Sequence, residues 1–262
     1  MALLLTLAIL TTAFATYPSK KTITIPSSPA RGESKVDFTF HNGDSDIFSP
    51  KITPINSTVW EWWYFSTIPL STTSLASLSI GFYTASQLAF PVNITTSSNV
   101  LFTSLSATFE NGLTFDVADI RVRAVLREDG LVGLWDMGDT GDWDEYKMWV
   151  GSEDLKKWWV KWDKDIASEK QGVEGRVMME AKVGSRIGCG GKGTQEVMPG
   201  VGWNMAVTDA DVWVDVRVGE ERVRFEGMGF VEKMWGARTF EEVGMPGAIW
   251  GWGRLGRYTV VW

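Results

Sequence analysis

Histidine and cysteine are almost missing from this chain: His41 and Cys189 are the single representatives among 262 residues. One thiol excludes an intrachain disulfide and any cysteine-based zinc site. One histidine, placed in a Ser/Thr-rich N-terminal stretch, with no G-x-S-x-G elbow in the chain, argues against Ser-His-Asp acyl transfer. His41 itself reads as a solvent-exposed side chain. Positive charge is also scarce. Lys and Arg number 25 against 32 Asp and Glu, a formal net charge of −7, so no nucleic-acid partner is expected. After residue 15 no apolar run is long enough to span a bilayer, and no segment has the period of a long amphipathic helix. Asp136, Asp139, Asp142 and Asp144 do not follow the calcium-loop spacing. Gly188 to Gly193 has the letters of a phosphate-binding G-x-G-x-x-G, but Pro199 and Gly200 leave no room for the helix such a site needs. No metal and no cofactor is expected.

Tryptophan is what the chain has in excess: 15 residues, all from Trp60 onward, against only 5 tyrosines. Such a content suggests a large apolar cavity with few polar handles. The densest stretch is Trp60-Glu61-Trp62-Trp63-Tyr64-Phe65. As a strand it puts Trp60, Trp62 and Tyr64 on one face and Glu61, Trp63 and Phe65 on the other. Neither set belongs in water, so both faces should be covered, as in a barrel wall lining a hollow inside and packing under a neighbour outside. Glu61 then needs a partner, or is kept for a purpose. A core strand with a satisfied glutamate is the plainer alternative.

Period two dominates the rest. Val212, Val214, Val216 and Val218 alternate with Asp211, Trp213, Asp215 and Arg217, Gly219-Glu220-Glu221 punctuates, and Val223 and Phe225 continue the pattern, predicting a hairpin. Further strands are expected over 173–183, 75–83, 101–109, 113–122, 146–150, 158–162, 248–254 and 258–262. In 158–162, Trp158, Val160 and Trp162 should point inward, although the interleaved lysines also suit a sugar-binding surface. The sum is an all-β chain of antiparallel strands, a barrel or sandwich. Residues 1–15 form an apolar run ending Ala13-Phe14-Ala15, which reads as a secretory signal peptide. The sequons at Asn56 and Asn93 suit glycosylation on that route. Residues 16–50 read as an N-terminal arm, and 51–262 as the barrel domain. Near the C-terminus, Gly227-Met228-Gly229-Phe230 runs into Glu232-Lys233-Met234-Trp235-Gly236, and Trp250-Gly251-Trp252-Gly253-Arg254-Leu255-Gly256 lies within the last stretch, Ile249 to Trp262. Alternate glycines let a bulky neighbour or a ligand approach a sheet.

Taken together and in order, Val59 to Phe65, Gly202-Trp203 with Thr208 to Asp211, the Gly227 to Gly236 block and the Trp250 to Gly256 block resemble the fungal Diels-Alderase family. That family is related to the hydroxyneurosporene synthase (carotenoid 1,2-hydratase) type proteins. The resemblance implies a lipocalin-like antiparallel β-barrel, the N-terminal barrel of a usually tandem pair, with the second barrel missing or truncated. It implies cofactor-independent [4+2] cyclisation of an apolar polyene or polyketide-type small molecule to a decalin, beside polyketide synthase pathway enzymes. A non-catalytic lipocalin-like carrier is the alternative. Tyr64, Trp235 and Glu232 are the candidate catalytic residues, with Trp60, Glu61, Trp63, Lys233 and Trp252 lining the substrate. A hydroxyl, an indole N–H or Lys233 would donate to the dienophile carbonyl. The chain departs from the family pattern at Val231-Glu232, where His-Asp is common, at Ser66 in place of Asp, and at Trp252 in place of His. Val231 cannot move a proton, which argues against hydratase-type water addition.

Overall fold

The structure, a computed structural model, describes residues 21–41, 46–91, 98–136, 146–162, 172–187, 193–244 and 251–262. The expected signal peptide, Asn93, Trp250 and most of the Gly188–Gly193 stretch lie outside them. The described residues form β1 (Thr22–Pro26), β2 (Lys35–Val36), β3 (Ile52–Thr53), β4 (Trp60–Pro69), β5 (Ser77–Ala85), β6 (Leu101–Thr108), β7 (Thr114–Ile120), β8 (Arg123–Arg127) and β9 (Val132–Asp136). They continue with β10 (Lys147–Gly151), β11 (Lys157–Trp162), β12 (Val173–Val183), β13 (Arg186–Ile187), β14 (Glu196–Met198), β15 (Val201–Val218), β16 (Glu221–Gly236), β17 (Trp252–Leu255) and β18 (Tyr258–Val261).

One antiparallel sheet runs in the order β1-β8-β9-β10-β11-β12-β15-β16-β4-β5-β6-β7, with β13 and β14 paired to β15. Its two edges approach each other. Ser27, just after β1, donates its N–H to Val122 O at 3.1 Å and accepts from Val100 N at 2.7 Å. Asp119 on β7 meets Lys147 on β10 at 2.5 Å. The sheet is thereby curled into a lipocalin-like β-barrel, as expected. The valine hairpin forms, with Val212, Val214, Val216, Val218 and Val223 buried. It runs on to Val201 and Gly236, and two register shifts between Met205 and Ala210 let so long a strand bend. The described part of the stretch expected as an arm, residues 21–41 and 46–50, packs on the sheet. There β1 pairs with β8, and Phe38 stacks on Trp235 at 6.1 Å between ring centroids.

The concave side of the sheet is filled rather than hollow. Trp63, Trp135, Trp149 and Trp158 are each 0% exposed. Trp63 and Trp149 stack at 5.3 Å, and Phe48 meets Trp158 edge-on at 4.7 Å. Each of the four indole N–H groups has a backbone acceptor: Trp63 donates to Phe48 O, Trp135 to Tyr83 O, Trp149 to Gly130 O and Trp158 to Leu155 O. The expectation of an indole-lined interior pocket is corrected here, because these rings are one another's packing partners. Trp158, Val160 and Trp162 point inward, which removes both indoles from any sugar-binding surface.

This packing depends on close approach at glycine. A Cβ at Gly133 would sit 2.3 Å from the Trp149 ring, whereas one at Gly253 would meet nothing within 4 Å. Gly133→Ala is expected to destabilise the protein by about 2 kcal/mol through overpacking. Gly253→Ala should stay within about 0.5 kcal/mol of wild type. Denaturant midpoints followed by tryptophan fluorescence distinguish the two.

Candidate functional site on the outer face of β4 and β16

The β4–β16 ladder pairs Trp63 with Lys233 and, one residue on, Tyr64 with Glu232. Successive side chains alternate, so two carboxylates close in space end on opposite faces of one sheet. Inside, Glu61 and Lys233 are both fully buried and form an ion pair. Glu61 Oε1 also accepts from Lys51 N at 2.6 Å, and Lys51 Nζ reaches Asp46 at 2.5 Å. The ammonium of Lys233 lies 4.5 Å from the Trp63 ring centroid and 5.1 Å from that of Trp235. Burial raises the Glu61 pKa despite the pull of Lys233. It lowers that of Lys233 to about 8 against the attraction of Glu61. This cluster joins the N-terminal stretch to the barrel wall.

Outside, Trp60, Trp62, Tyr83, Phe102 and Met234 form a second apolar cluster, with Phe90 and Phe240 packed on it. Tyr83 lies flat on Phe102 at 4.2 Å. Its phenol reaches back over Gly81, where a Cβ would be 2.4 Å from the hydroxyl, and accepts from Ser104 Oγ at 3.2 Å. Glu232 sits beside this cluster with 1% of its surface exposed. Trp203 Nε1 donates to its Oε2 at 2.7 Å, while Oε1 has no hydrogen-bond partner among the described residues. Burial pushes the Glu232 pKa up to about 7, with the Trp203 and Trp62 indoles opposing. Its nearness also helps to raise the pKa values of Tyr64 and Tyr83, after burial, the larger cause for both. The surface opens from there: Tyr64, Ser66, Ser79 and Ser104 are half-buried, and Ser106 is exposed.

The expected site residues are therefore divided. Tyr64 and Glu232 come together on the outer face. Trp235 does not join them, because it lies in the inner core and donates its N–H to Asp37 O at 3.0 Å. The N–H groups of Trp60 and Trp63 are likewise taken, by Arg238 O and Phe48 O, each at 2.9 Å. Glu61 and Lys233 neutralise each other in the interior, so Lys233 is no free donor. Trp252 stacks on Phe230 at 5.8 Å and anchors the β17–β18 hairpin over the outer face. The alternate glycines of β16 receive neighbouring chain rather than a ligand: a Cβ would lie 2.0 Å from Ile68 O at Gly227 and 2.4 Å from Val212 at Gly229. Asn56 is engaged locally, its Nδ2 donating to Gly32 O at 2.9 Å and its Oδ1 accepting from Thr58 N. His41 is exposed and meets Asp37 at 2.5 Å. Trp203 and Tyr83 were not expected as site residues. Only strand register brings them to Glu232.

An open cleft of about 670 Å³ lies between the β17–β18 hairpin and the barrel, adjoining this face. Met205, the residue paired with Glu232 across β15–β16, is part of its wall. The hairpin is held by the ion pair of Arg254 with Asp209, to which Thr259 also donates at 2.8 Å.

A lipocalin-like barrel with a filled interior, and a buried protonatable carboxyl on its outer face, is the class of protein that fold and site define. The chain belongs to the Diels-Alderase-like family, whose profile matches residues 23–260. It is 28% identical over 262 residues to the quinolone epoxide rearrangement protein asqO of Emericella nidulans, which covers 97% of this chain and 67% of that protein. It is 26% identical over 221 residues to the quinolone epoxide rearrangement protein penF of Penicillium thymicola, covering 83% of this chain and 59% of that protein. The crystal structure of CghA with Sch210972 shares the fold at a TM-score of 0.63 and 14% identity, over 84% of this chain and 57% of that one. The chain thus spans roughly three-fifths to two-thirds of the length of these proteins.

Two measurements separate the two buried carboxylates. Glu61→Gln leaves Lys233 buried beside a neutral group and should cost about 3–5 kcal/mol, whereas the double change Glu61→Leu with Lys233→Met should cost less than that single change. Urea midpoints report both. For Glu232 the folded-state pKa lies above the ordinary 4.5, so folding favours its protonated form. Its contribution is full below pH 4.5 and is lost as pH rises to about 7. Across that window wild type should lose about 3 kcal/mol relative to Glu232→Gln.

Proposed function

We propose that this protein is an isomerase-type enzyme of secondary metabolism. It rearranges or cyclises a small, largely apolar metabolite on the outer face of β4 and β16, with Glu232 as proton or hydrogen-bond donor. One observation carries this reading: a carboxyl at 1% exposure, with a pKa near 7, keeps Oε1 without a partner among the described residues. A group poised near neutral pH is well matched to proton transfer in either direction. An epoxide or carbonyl oxygen placed against Oε1 would receive the proton as negative charge grows on it. The carboxylate left behind takes a proton back from the rearranged product, so none is consumed. Trp62, Tyr83, Phe102 and Met234 supply the apolar wall, and the Tyr64 hydroxyl is a second donor. Val231 packs in the inner core and moves no proton, yet its neighbour Glu232 supplies what a His-Asp pair otherwise would. The names of the two quinolone relatives support rearrangement of an epoxide.

The family supports a second reading, intramolecular [4+2] cycloaddition of a linear polyene to a decalin. There Glu232 would only donate a hydrogen bond to the dienophile carbonyl, and the apolar wall would fold the chain so that diene and dienophile meet. A secretory route rests on the apolar N-terminal run and the sequons alone.

The two readings part at one substitution. Glu232→Gln keeps a hydrogen-bond donor and loses the transferable proton. Rearrangement predicts a loss of at least about 100-fold in turnover. It also predicts that wild-type rate falls as pH rises through about 7, because the protonated form is the active one. Cycloaddition predicts that Glu232→Gln retains most activity while Glu232→Leu does not. Product profiles of a producing host carrying each variant check this. Unchanged product identity from both variants, with only yield or export altered, would identify a carrier instead.

A further inference from the structure

In a chain of net charge −7, the cleft under the β17–β18 hairpin is a local reversal of sign. Four cationic side chains, Lys182, Arg186, Arg254 and Arg257, line it against one carboxylate, Asp209. Two of the four are occupied. Arg254 is held by Asp209, and Lys182 lies 2.7 Å from Asp211. The other two are not. Arg186 donates to the backbone oxygen of Ser185, and Arg257 to the Tyr258 hydroxyl at 2.8 Å. Neither has a carboxylate partner among the described residues. Between these cations the wall is mixed, with Val183, Met205 and Val261 supplying its apolar part and Thr208 and Thr259 hydroxyl-bearing side chains. The volume, about 670 Å³, falls in the range of small-molecule sites.

We infer that this cleft binds the anionic head, a carboxylate or an enolate of similar shape, of an amphipathic small molecule whose apolar part lies along Met205 toward Glu232. Arg186 and Arg257 approach from different elements, β13 and the turn between β17 and β18, and both present planar forks that match a two-oxygen anion. Arg254 has a different part. Its pairing with Asp209 and Asp211 ties the hairpin to β15 and keeps the cleft walled, so it positions rather than binds. The inference deepens the proposed function by giving the substrate an acidic end, and it places that end away from the reacting oxygen. It accounts for cations on this rim which Asp209 and Asp211 leave uncompensated.

Decanoate and decanol, the same chain with and without a carboxylate, are suitable probes for calorimetric titration of the full chain. Decanoate should bind saturably at one site and at least about tenfold more tightly than decanol. Added salt should weaken decanoate and leave decanol unaffected. The double variant Arg186→Gln/Arg257→Gln should abolish the preference. Arg217→Gln, at an exposed arginine paired with Glu174 on another part of the sheet, should retain it. Thermal melts matching wild type show that the double variant is folded; were it not, either single glutamine variant should still reduce the preference. Equal binding of the two probes, no saturable binding, or a preference that survives both arginine changes overturns the inference. Glu232→Gln should bind decanoate within about twofold of wild type. A failure of the acid role therefore leaves this inference standing, and a failure here leaves the acid role standing.

Discussion

Both faces of the β4–β16 ladder are buried, and the rest of the molecule is arranged around that constraint. A sheet with one wet face can put charge and hydroxyls outward at no cost. This one carries Trp63, Phe65, Val231 and Trp235 inward and Trp60, Trp62, Phe230 and Met234 outward, all buried. Covering the inner set takes the curl of the sheet and the N-terminal stretch, with Phe48 and Phe38 against the rings. Covering the outer set takes Phe90, Phe240 and the C-terminal hairpin. Where that outer cover thins, around Tyr64 and the serines of β4, β5 and β6, the surface becomes available to another molecule.

Within this doubly buried ladder two carboxylates meet the same desolvation and resolve it differently. Glu61 is compensated by a cation and a backbone N–H, so it is a structural clasp. Glu232 has only the Trp203 and Trp62 indoles to offset its burial, and the remaining penalty raises its pKa toward neutrality. An acid with no cation beside it is free to exchange its proton, where one clamped to Lys233 is not. The difference comes from which neighbours the register supplies, since both residues are glutamates on adjacent strands of one sheet.

Much of the architecture was legible from period two. The β12 strand matches its expected bounds, and β5, β6, β7, β10, β11 and the valine hairpin lie within about two residues of theirs or extend beyond them. The alternation of Trp60 to Phe65 also sorted the side chains correctly between faces. Missed strands were β1, β8 and β9 and the two- or three-residue β2, β3, β13 and β14; β1 alternates Thr with Ile but spans only five residues, and β8 is bounded by Arg123 and Arg127, so none carries a long enough period-two run. The candidate site was legible in part. Glu232 and Tyr64 stood out as unusual residues within aromatic strands. Trp235, Glu61 and Lys233 looked equally unusual, and nothing in their local pattern distinguished a core partner from a pocket wall.

By itself the sequence determined the class of fold, the residues of each strand face and the scarcity of nucleophile and metal chemistry, because these follow from composition and a two-residue period. Tertiary structure alone decided which face was interior, that the inner indoles fill their space, and which glutamate found a cation. It also decided that Arg186 and Arg257, 71 positions apart, share one cleft. Those outcomes depend on pairing register and sheet curvature. Both are set by contacts between segments distant in the chain, so no local pattern encodes them.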